Sequence, residues 1–365
     1  TSTGWLDLVG NNCSPSGSGA NNECQGTGAL QLLTTGYNNV AFGDSSLANT
    51  TIGYANVAVG FETLLNNVDG FSNVSIGTQS LRANTSGFQN TAIGVNAMIT
   101  NTTGSNNTAV GMNALYSNTT GIQNTAMGLS ALYSNSSGVN NTANGMFALQ
   151  FTTTGGANTA MGASALRFNI TGNSNVGIGV QAALSNTTGS HNVVIGRDVL
   201  TANTTGSNNV VIGMNSLNSF NVLDSSGNNT VVGYSTGGGI TTGINNTIIG
   251  ANVIGLPTTL SNNIILADGS GNRRINVDST GNVGIGTTTP LTQLHVVSGN
   301  TNGLTLQTTG NAALLDFRTT GVTPANRNWR LVNNFSTGGT LEFHRSSNAV
   351  SDPSIVTARL DRKSV

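Results

Sequence analysis

The sequence predicts an all-β chain. Its main body is a parallel β-solenoid of 17-residue coils, assembled as a homotrimer and followed by a small C-terminal β-domain. Three observations predict it. Glycines recur at a fixed spacing of 17 residues. A short apolar run of strand period precedes each of them. An asparagine stands four places before each slot without a miss.

The glycine column comprises Gly26, Gly43, Gly60, Gly77, Gly94, Gly111, Gly128, Gly145, Gly162, Gly179, Gly196 and Gly213. An insertion of three residues follows, after which Gly233, Gly250 and finally Ala267 resume the spacing, making fifteen units. The asparagine column runs through Asn22, Asn39, Asn56, Asn73, Asn90, Asn107, Asn124, Asn141, Asn158, Asn175, Asn192, Asn209, Asn229, Asn246 and Asn263. It is expected to form a stacked ladder of side-chain amides that satisfies corner backbone groups and fixes the register. A second glycine column, including Gly70, Gly87, Gly104 and Gly121, lies seven places before the first. Both mark tight corners, where positive φ or close backbone approach excludes a Cβ. Four places after most slots comes a bulky apolar residue such as Leu81, Met98 or Leu115.

Seventeen residues are too few for a helical hairpin repeat, which needs about 33. The triplets before the glycine, such as Val57-Ala58-Val59 and Val193-Val194-Ile195, read instead as strands. Clusters such as Asn118-Thr119-Thr120-Gly121 read as the turns between them. Fifteen coils, each rising about 4.8 Å, make a rod of roughly 70 Å. One coil cannot bury its own apolar face, but a stack can.

Alternation sets the expected faces. The larger first and third side chains are expected inside, and the middle one outside. That outer column is Ala41, Ala58, Ala92, Ala109, Ala126, Ala143 and Ala160, then Val194, Val211, Val231 and Ile248. An apolar stripe of this length needs cover, and self-association about a three-fold axis supplies it. The change from Ala to Val and Ile then predicts subunits that splay towards the C-terminal end.

Composition excludes several functions. Of 365 residues, 7% are charged and the formal net charge is −1. Nucleic-acid binding needs clustered Lys and Arg, and this chain has one lysine, Lys363. No apolar run is long enough to span a bilayer. Disorder is argued against by the period itself and by an apolar fraction of 36%. No charged residue or histidine occurs from Ala83 to Leu166, which leaves general acid–base chemistry without a group there. His191, His295 and His344 are scattered and are read as surface or packing residues. Asp268-Gly-Ser-Gly-Asn272 shares the outline of a calcium loop but lacks its acidic run and closing Glu. Gly177-x-Gly179 and Gly284-x-Gly286 are repeat corners, since neither opens a helix. No enzyme activity, catalytic residue, metal or cofactor is expected.

Four segments follow: a cap at 1–20, the solenoid at 21–267, a linker at 268–290 and a β-domain at 291–365. The cap holds Trp5, Leu6 and Leu8 to plug the first coil. Cys13 and Cys24 are expected to form a disulfide, which implies an oxidising compartment. Thr1 is expected to be a processed or trimmed end, and the full product to be longer or processed. Leu304-Thr-Leu306, Ala313–Phe317, Trp329–Val332 and Thr340–His344 read as strands of a sandwich-like or prism-like domain. Asn-x-Ser/Thr sequons at Asn84, Asn101, Asn118, Asn135, Asn186 and Asn203 are placed on surface turns. Exposed aromatics such as Phe88, Tyr116 and Tyr133 are available for sugars or for packing.

Asn39-Val-Ala-Phe-Gly43, Asn56-Val-Ala-Val-Gly60 and Asn90-Thr-Ala-Ile-Gly94 resemble the YadA-like head repeats of trimeric autotransporter adhesins. The resemblance covers about residues 20–267. It implies a homotrimer of left-handed parallel β-rolls that binds host surfaces. Three extra residues per coil, in the Asn-Thr-Thr-Gly turn, depart from the family's usual repeat, and its stalk and membrane barrel are absent here. Residues 281–296, Gly281-Asn-Val-Gly-Ile-Gly286 through His295-Val296, resemble a linker of phage tail-fibre-like and bacterial surface-fibre proteins.

The function expected is therefore a non-enzymatic extracellular fibre, structural and adhesive, on a cell surface or in a secreted filament. A phage tail fibre with a receptor-binding end is the alternative. The partners expected are further copies of the chain and a host-surface glycan or protein, with no nucleic acid and no membrane insertion. Two further readings are an inter-subunit glycan depolymerase and an ice binder. The ice reading rests on the column Thr91, Thr108, Thr125, Thr142 and Thr159, which alternation places inside, away from ice.

Overall fold

The computed structural model describes residues 21–298 throughout. It also describes the backbone of five further strands, Leu6–Asp7, Ala312–Phe317, Trp329–Asn334, Thr340–Arg345 and Ile355–Leu360. All described regular structure is β, with no helix among the described residues. The chain divides into two compact units, 1–295 and 296–365.

The first unit is a parallel β-solenoid. Its fifteen strands β2 to β16 run from Glu23–Gln25 (β2) to Ile264–Ala267 (β16), and each pairs parallel with the next. The register is one coil of 17 residues: Thr108↔Thr125, Ala109↔Ala126, Val110↔Met127. Most of these strands are three residues long, so turns make up most of every coil. The three-residue insertion shifts one step to 20, pairing Val210 with Thr230, and strand stacking continues past it.

The strand faces are the reverse of those expected. The middle residue points inward: Ala41, Ala58, Ala92, Ala109, Ala126, Ala143, Ala160, Val194, Val211, Val231 and Ile248 are all fully buried. The first and third residues are the outer ones, partly or well exposed, as at Thr91 and Ile93. The reason is room. Each coil already encloses a large side chain from beyond the glycine, such as Leu115 or Leu132, plus a small one, Ala114 or Ala131. From Ala41 to Ala160 alanine or serine fits opposite them, while the later coils admit Val194, Val211, Val231 and Ile248. At Gly177 even a methyl is excluded, since a Cβ would sit 2.9 Å from Leu166 Cγ. The Ala-to-Val change therefore lies in the core and gives no ground for splayed subunits.

β1 (Leu6–Asp7) pairs parallel with β2 at the same interval, Leu6 opposite Glu23. The stack thus extends into the segment expected to be a non-repetitive cap; the rest of that cap, with Trp5, Leu8 and Cys13, lies outside the described residues. At the other end, residues 268–290 carry two strands where a linker was expected. β17 (Arg273–Val277) pairs antiparallel with β16, and β18 (Val283–Ile285) antiparallel with β17. This reversal covers the last parallel edge of the stack.

The second unit contains a four-stranded antiparallel sheet in chain order, β20 (Ala312–Phe317), β21 (Trp329–Asn334), β22 (Thr340–Arg345) and β23 (Ile355–Leu360). The first three match expected runs, and β23 was not foreseen. Leu304–Leu306 lies outside the described residues.

Candidate binding faces and the ladders behind them

Two asparagine ladders run through the solenoid. In the first, each backbone N–H donates to the Oδ1 of the asparagine one coil earlier, at 2.9–3.0 Å for Asn56, Asn73, Asn90, Asn107, Asn124, Asn141, Asn158, Asn175, Asn192 and Asn209. From Asn56 to Asn192 the Nδ2 also donates to a corner-glycine carbonyl at 2.8–3.0 Å, for example Asn107 to Gly121. One amide thus ties two successive coils to one corner. All these side chains are essentially buried.

The second ladder was not recognised in the sequence. Asn67, Asn84, Asn101, Asn118 and Asn135 stack in one run, and Asn169, Asn186 and Asn203 in another, with Nδ2 to Oδ1 distances of 2.8–2.9 Å. Each also donates to the glycine carbonyl three residues ahead, as Asn118 does to Gly121 at 3.1 Å. Six of these eight are the sequon asparagines placed on surface turns above. They are fully buried, and their amide nitrogens point into the stack. Thr152 interrupts the ladder between its runs. There Asn135 Oδ1 and the Thr152 hydroxyl are buried without a hydrogen-bond partner.

The two glycine columns meet different demands. Gly60, Gly77, Gly94, Gly111, Gly128, Gly145, Gly162, Gly179, Gly196 and Gly213 have φ from +126° to +137°, open almost only to glycine. The other column needs glycine for space. A Cβ on Gly104 would lie 2.3 Å from Asn101 Oδ1 and 2.6 Å from the Gly121 carbonyl oxygen.

Two outer surfaces are candidates for contact. The strand face carries Ile76, Ile93, Met127, Met161 and Ile249 at 38–45% exposure. Beside them run Thr91, Thr108, Thr125, Thr142 and Thr159, which face outward, contrary to expectation. The second candidate is a set of separate columns in which rings stack one coil apart. Tyr37, Tyr54, Phe71 and Phe88 stack at 4.9–5.0 Å, Tyr116 on Tyr133 at 4.8 Å, and Phe151 on Phe168 at 5.2 Å. A groove of about 520 Å³ opens around the last pair, lined also by Ser134, Thr153, Ile170, Ser185, Thr187 and Thr204. The Arg167 guanidinium carbon lies 5.7 Å from the Phe151 ring centre and 5.2 Å from that of Phe168.

Glu62, Asp268 and Asp278 are tied into structural hydrogen bonds. Hydrogen bonds from Gln79 and Arg82 hold the Glu62 carboxyl below its ordinary range. Asp268 accepts from Ser270, Asn272 and Arg274, which brings its carboxyl from 3.8 down to about 2, the Asn272 side chain contributing most. Asp278 repeats this loop with Thr280 and Asn282, and its pKa is lowered likewise. Both Asp-x-x-Gly-Asn segments are turns closed by their own side chains. Among the described residues no cluster of three or more metal-ligating side chains occurs, and no helix is long and apolar enough to cross a membrane. His191 is exposed, and His295 Nδ1 accepts from the Leu291 N–H. Cys24 is buried in β2, and Cys13, its expected partner, lies outside the described residues. Comparison with protein-family models, with curated proteins and with solved structures finds no match for the chain.

Proposed function

We propose that the chain is a non-enzymatic structural and adhesive fibre protein acting outside the cell, built as a left-handed solenoid that associates as a homotrimer. The β-solenoid rod fits a fibre-like role by its shape alone. The observation that carries the association is the strand face, where exposed Ile and Met side chains recur coil after coil on a chain almost without charge. Such a face is stabilised by burial against copies of itself. Repeated turns on a rigid trimer then sum weak contacts with a host-surface glycan or protein by avidity. The YadA-like motif supports an extracellular setting, with which the expected Cys13–Cys24 disulfide would agree; a virion tail fibre is the alternative location.

Sedimentation and negative-stain imaging test this. A trimeric rod is expected for the native chain. Met127→Glu with Met161→Glu is expected to give monomers of unchanged circular dichroism. A native chain that sediments as a monomer overturns the association.

The outward threonine column favours a second reading, ice binding, because the hydroxyls lie at a regular one-coil interval on an exposed sheet. It predicts thermal hysteresis that Thr125→Tyr abolishes; no hysteresis at millimolar protein rejects it.

A further inference from the structure

We infer that the groove around Phe151 and Phe168 is a binding site for a uronate-bearing polysaccharide chain. The inference deepens the adhesive reading and rests on it for biological context, while the site stands on its own observations.

The first is the interrupted ring stack. Phe151 and Phe168 lie nearly parallel, with 10° between their planes, one coil apart along the rod. The same column carries Ser134 before Phe151 and Ser185 after Phe168. The outer face of each ring therefore looks over a small side chain, and a flat ligand ring of apolar face can continue the stack there. Both phenylalanines are well exposed, as is Ile170 beside them.

The second observation is shape and polarity. The lining runs over five coils, from Ser134 to Thr204, a length of about 20 Å at the usual strand spacing. A ligand that fills it is elongated. The Thr153 and Thr187 hydroxyls donate to carbonyls of the next coil, of Ile170 and Thr204. Their oxygens thus remain as acceptors along the groove. An apolar floor edged by acceptor oxygens suits pyranose rings, which carry C–H faces and O–H rims.

The third is charge. Arg167 is the only Asp, Glu, Lys or Arg between Arg82 and Arg197. Its Nε donates to Gln150 Oε1 at 2.7 Å, a neutral acceptor, and its guanidinium lies against Phe147, Phe151 and Phe168. Ring contact and the Gln150 bond hold the fork in place at the groove, and its charge meets no carboxylate among the described residues. A carboxylate on the ligand complements it, and guanidinium binds carboxylate in a planar, two-bond geometry.

Calorimetric titration of the full chain with an oligogalacturonide, against the same oligomer fully methyl-esterified, tests the site. The acid form is expected to bind at least ~10-fold more tightly than the ester, since a charged hydrogen bond is at stake. Arg167→Gln is expected to bring the acid to the level of the ester. Phe168→Ser, which repeats the residue of the next coil, is expected to weaken both forms by about 10-fold or more. Tyr37→Ser, an exposed stacked ring elsewhere, is expected to change neither. Equal binding of acid and ester, no binding of either, or an unaltered affinity in Phe168→Ser overturns the site. Trimeric rods in the same samples would leave the fibre standing when the site falls, and monomers that bind the acid would do the reverse.

Discussion

Replacing Thr152 with asparagine should stabilise the solenoid, although nearly all buried polar substitutions do the opposite. In the second ladder each Nδ2 donates to the Oδ1 behind it, at 2.8 Å from Asn118 to Asn101 and from Asn135 to Asn118. Thr152 has no amide to continue the series, which leaves Asn135 Oδ1 and its own Oγ1 buried and unpaired. Asn169, on the far side, accepts from Asn186, but its Nδ2 donates only to the Gly172 carbonyl. Its Nδ2 already lies 3.2 Å from where a Cβ of Gly155 would be, so it borders the space the new amide would enter. Thr152→Asn would restore the Asn-Thr-Thr-Gly turn found at Asn118 to Gly121. It would place one donor on Asn135 Oδ1, one on the Gly155 carbonyl and an acceptor before Asn169 Nδ2. Relief of an unpaired buried oxygen is worth about 1–3 kcal/mol. Threonine and asparagine are of similar volume, so we expect a net gain of about 2 kcal/mol. Unfolding of a repeat array is not a single step, so slowed hydrogen exchange of amides in the coils around 135–172 is the direct readout. A raised denaturant midpoint at unchanged slope is the global one. Thr152→Ala is the control and should lose stability. A folded Thr152→Asn that exchanges as fast as the parent would refute the ladder as a source of stability.

Three further outcomes are expected. Gly128→Ala forces a Cβ to 2.7 Å from the Gly145 carbonyl carbon at φ +133°, and should cost at least ~2 kcal/mol in chemical denaturation. Gly269→Ala, with open space around it, should stay within about 0.5 kcal/mol of the parent. Asp268 has a folded pKa below its ordinary value, so its contribution is present above pH 3.8 and lost as pH falls towards about 2. Exchange beside the β16–β17 turn should rise over that window, and Asp268→Asn should abolish the rise there while leaving that of the Asp278 turn between β17 and β18. Folded protein from a glycosylating host should carry no glycan at Asn84, Asn101, Asn118, Asn135, Asn186 or Asn203 by mass spectrometry, because a glycan there breaks the ladder. Exposed sequon asparagines such as Asn106 and Asn140 remain open to modification.

The coil length, the strand positions and the first ladder were legible because each depends on residues that recur at one interval. The faces were not. A three-residue strand holds a single alternation, and size alone assigned Val57 and Val59 to the inside. Parity counted from the asparagine gives the correct answer. Asn56 belongs to a buried ladder, so Val57 faces out, Ala58 in and Val59 out. The second ladder left a comparable trace. Asn84, Asn101 and Asn118 keep their type while their neighbours vary among Thr and Ser. Turn propensity explained them well enough to hide it. The groove at Phe151 left no periodic trace, since it exists where one column departs from its own repeat.

Inverting the faces changes what the interior asks of the sequence. From Ala41 to Ala160 a coil seats one leucine or methionine, small residues and amides inside, and the larger first and third strand residues, such as Ile93 and Met127, lie outside. Core composition and surface composition are therefore coupled. The more amide the interior holds, the more apolar residue must be exposed for a given apolar total. Arg82 with Glu62 is the one ion pair between different coils within β2 to β16 among the described residues, so charge does little to solubilise the outer face or to fix register. Register falls to the amides, and the proposed association would give the outer face its cover. The stack settles the first within one chain. For the second we propose a partner, and a face that repeats every coil in register is best matched by one that repeats at the same interval, namely a second copy of the same rod.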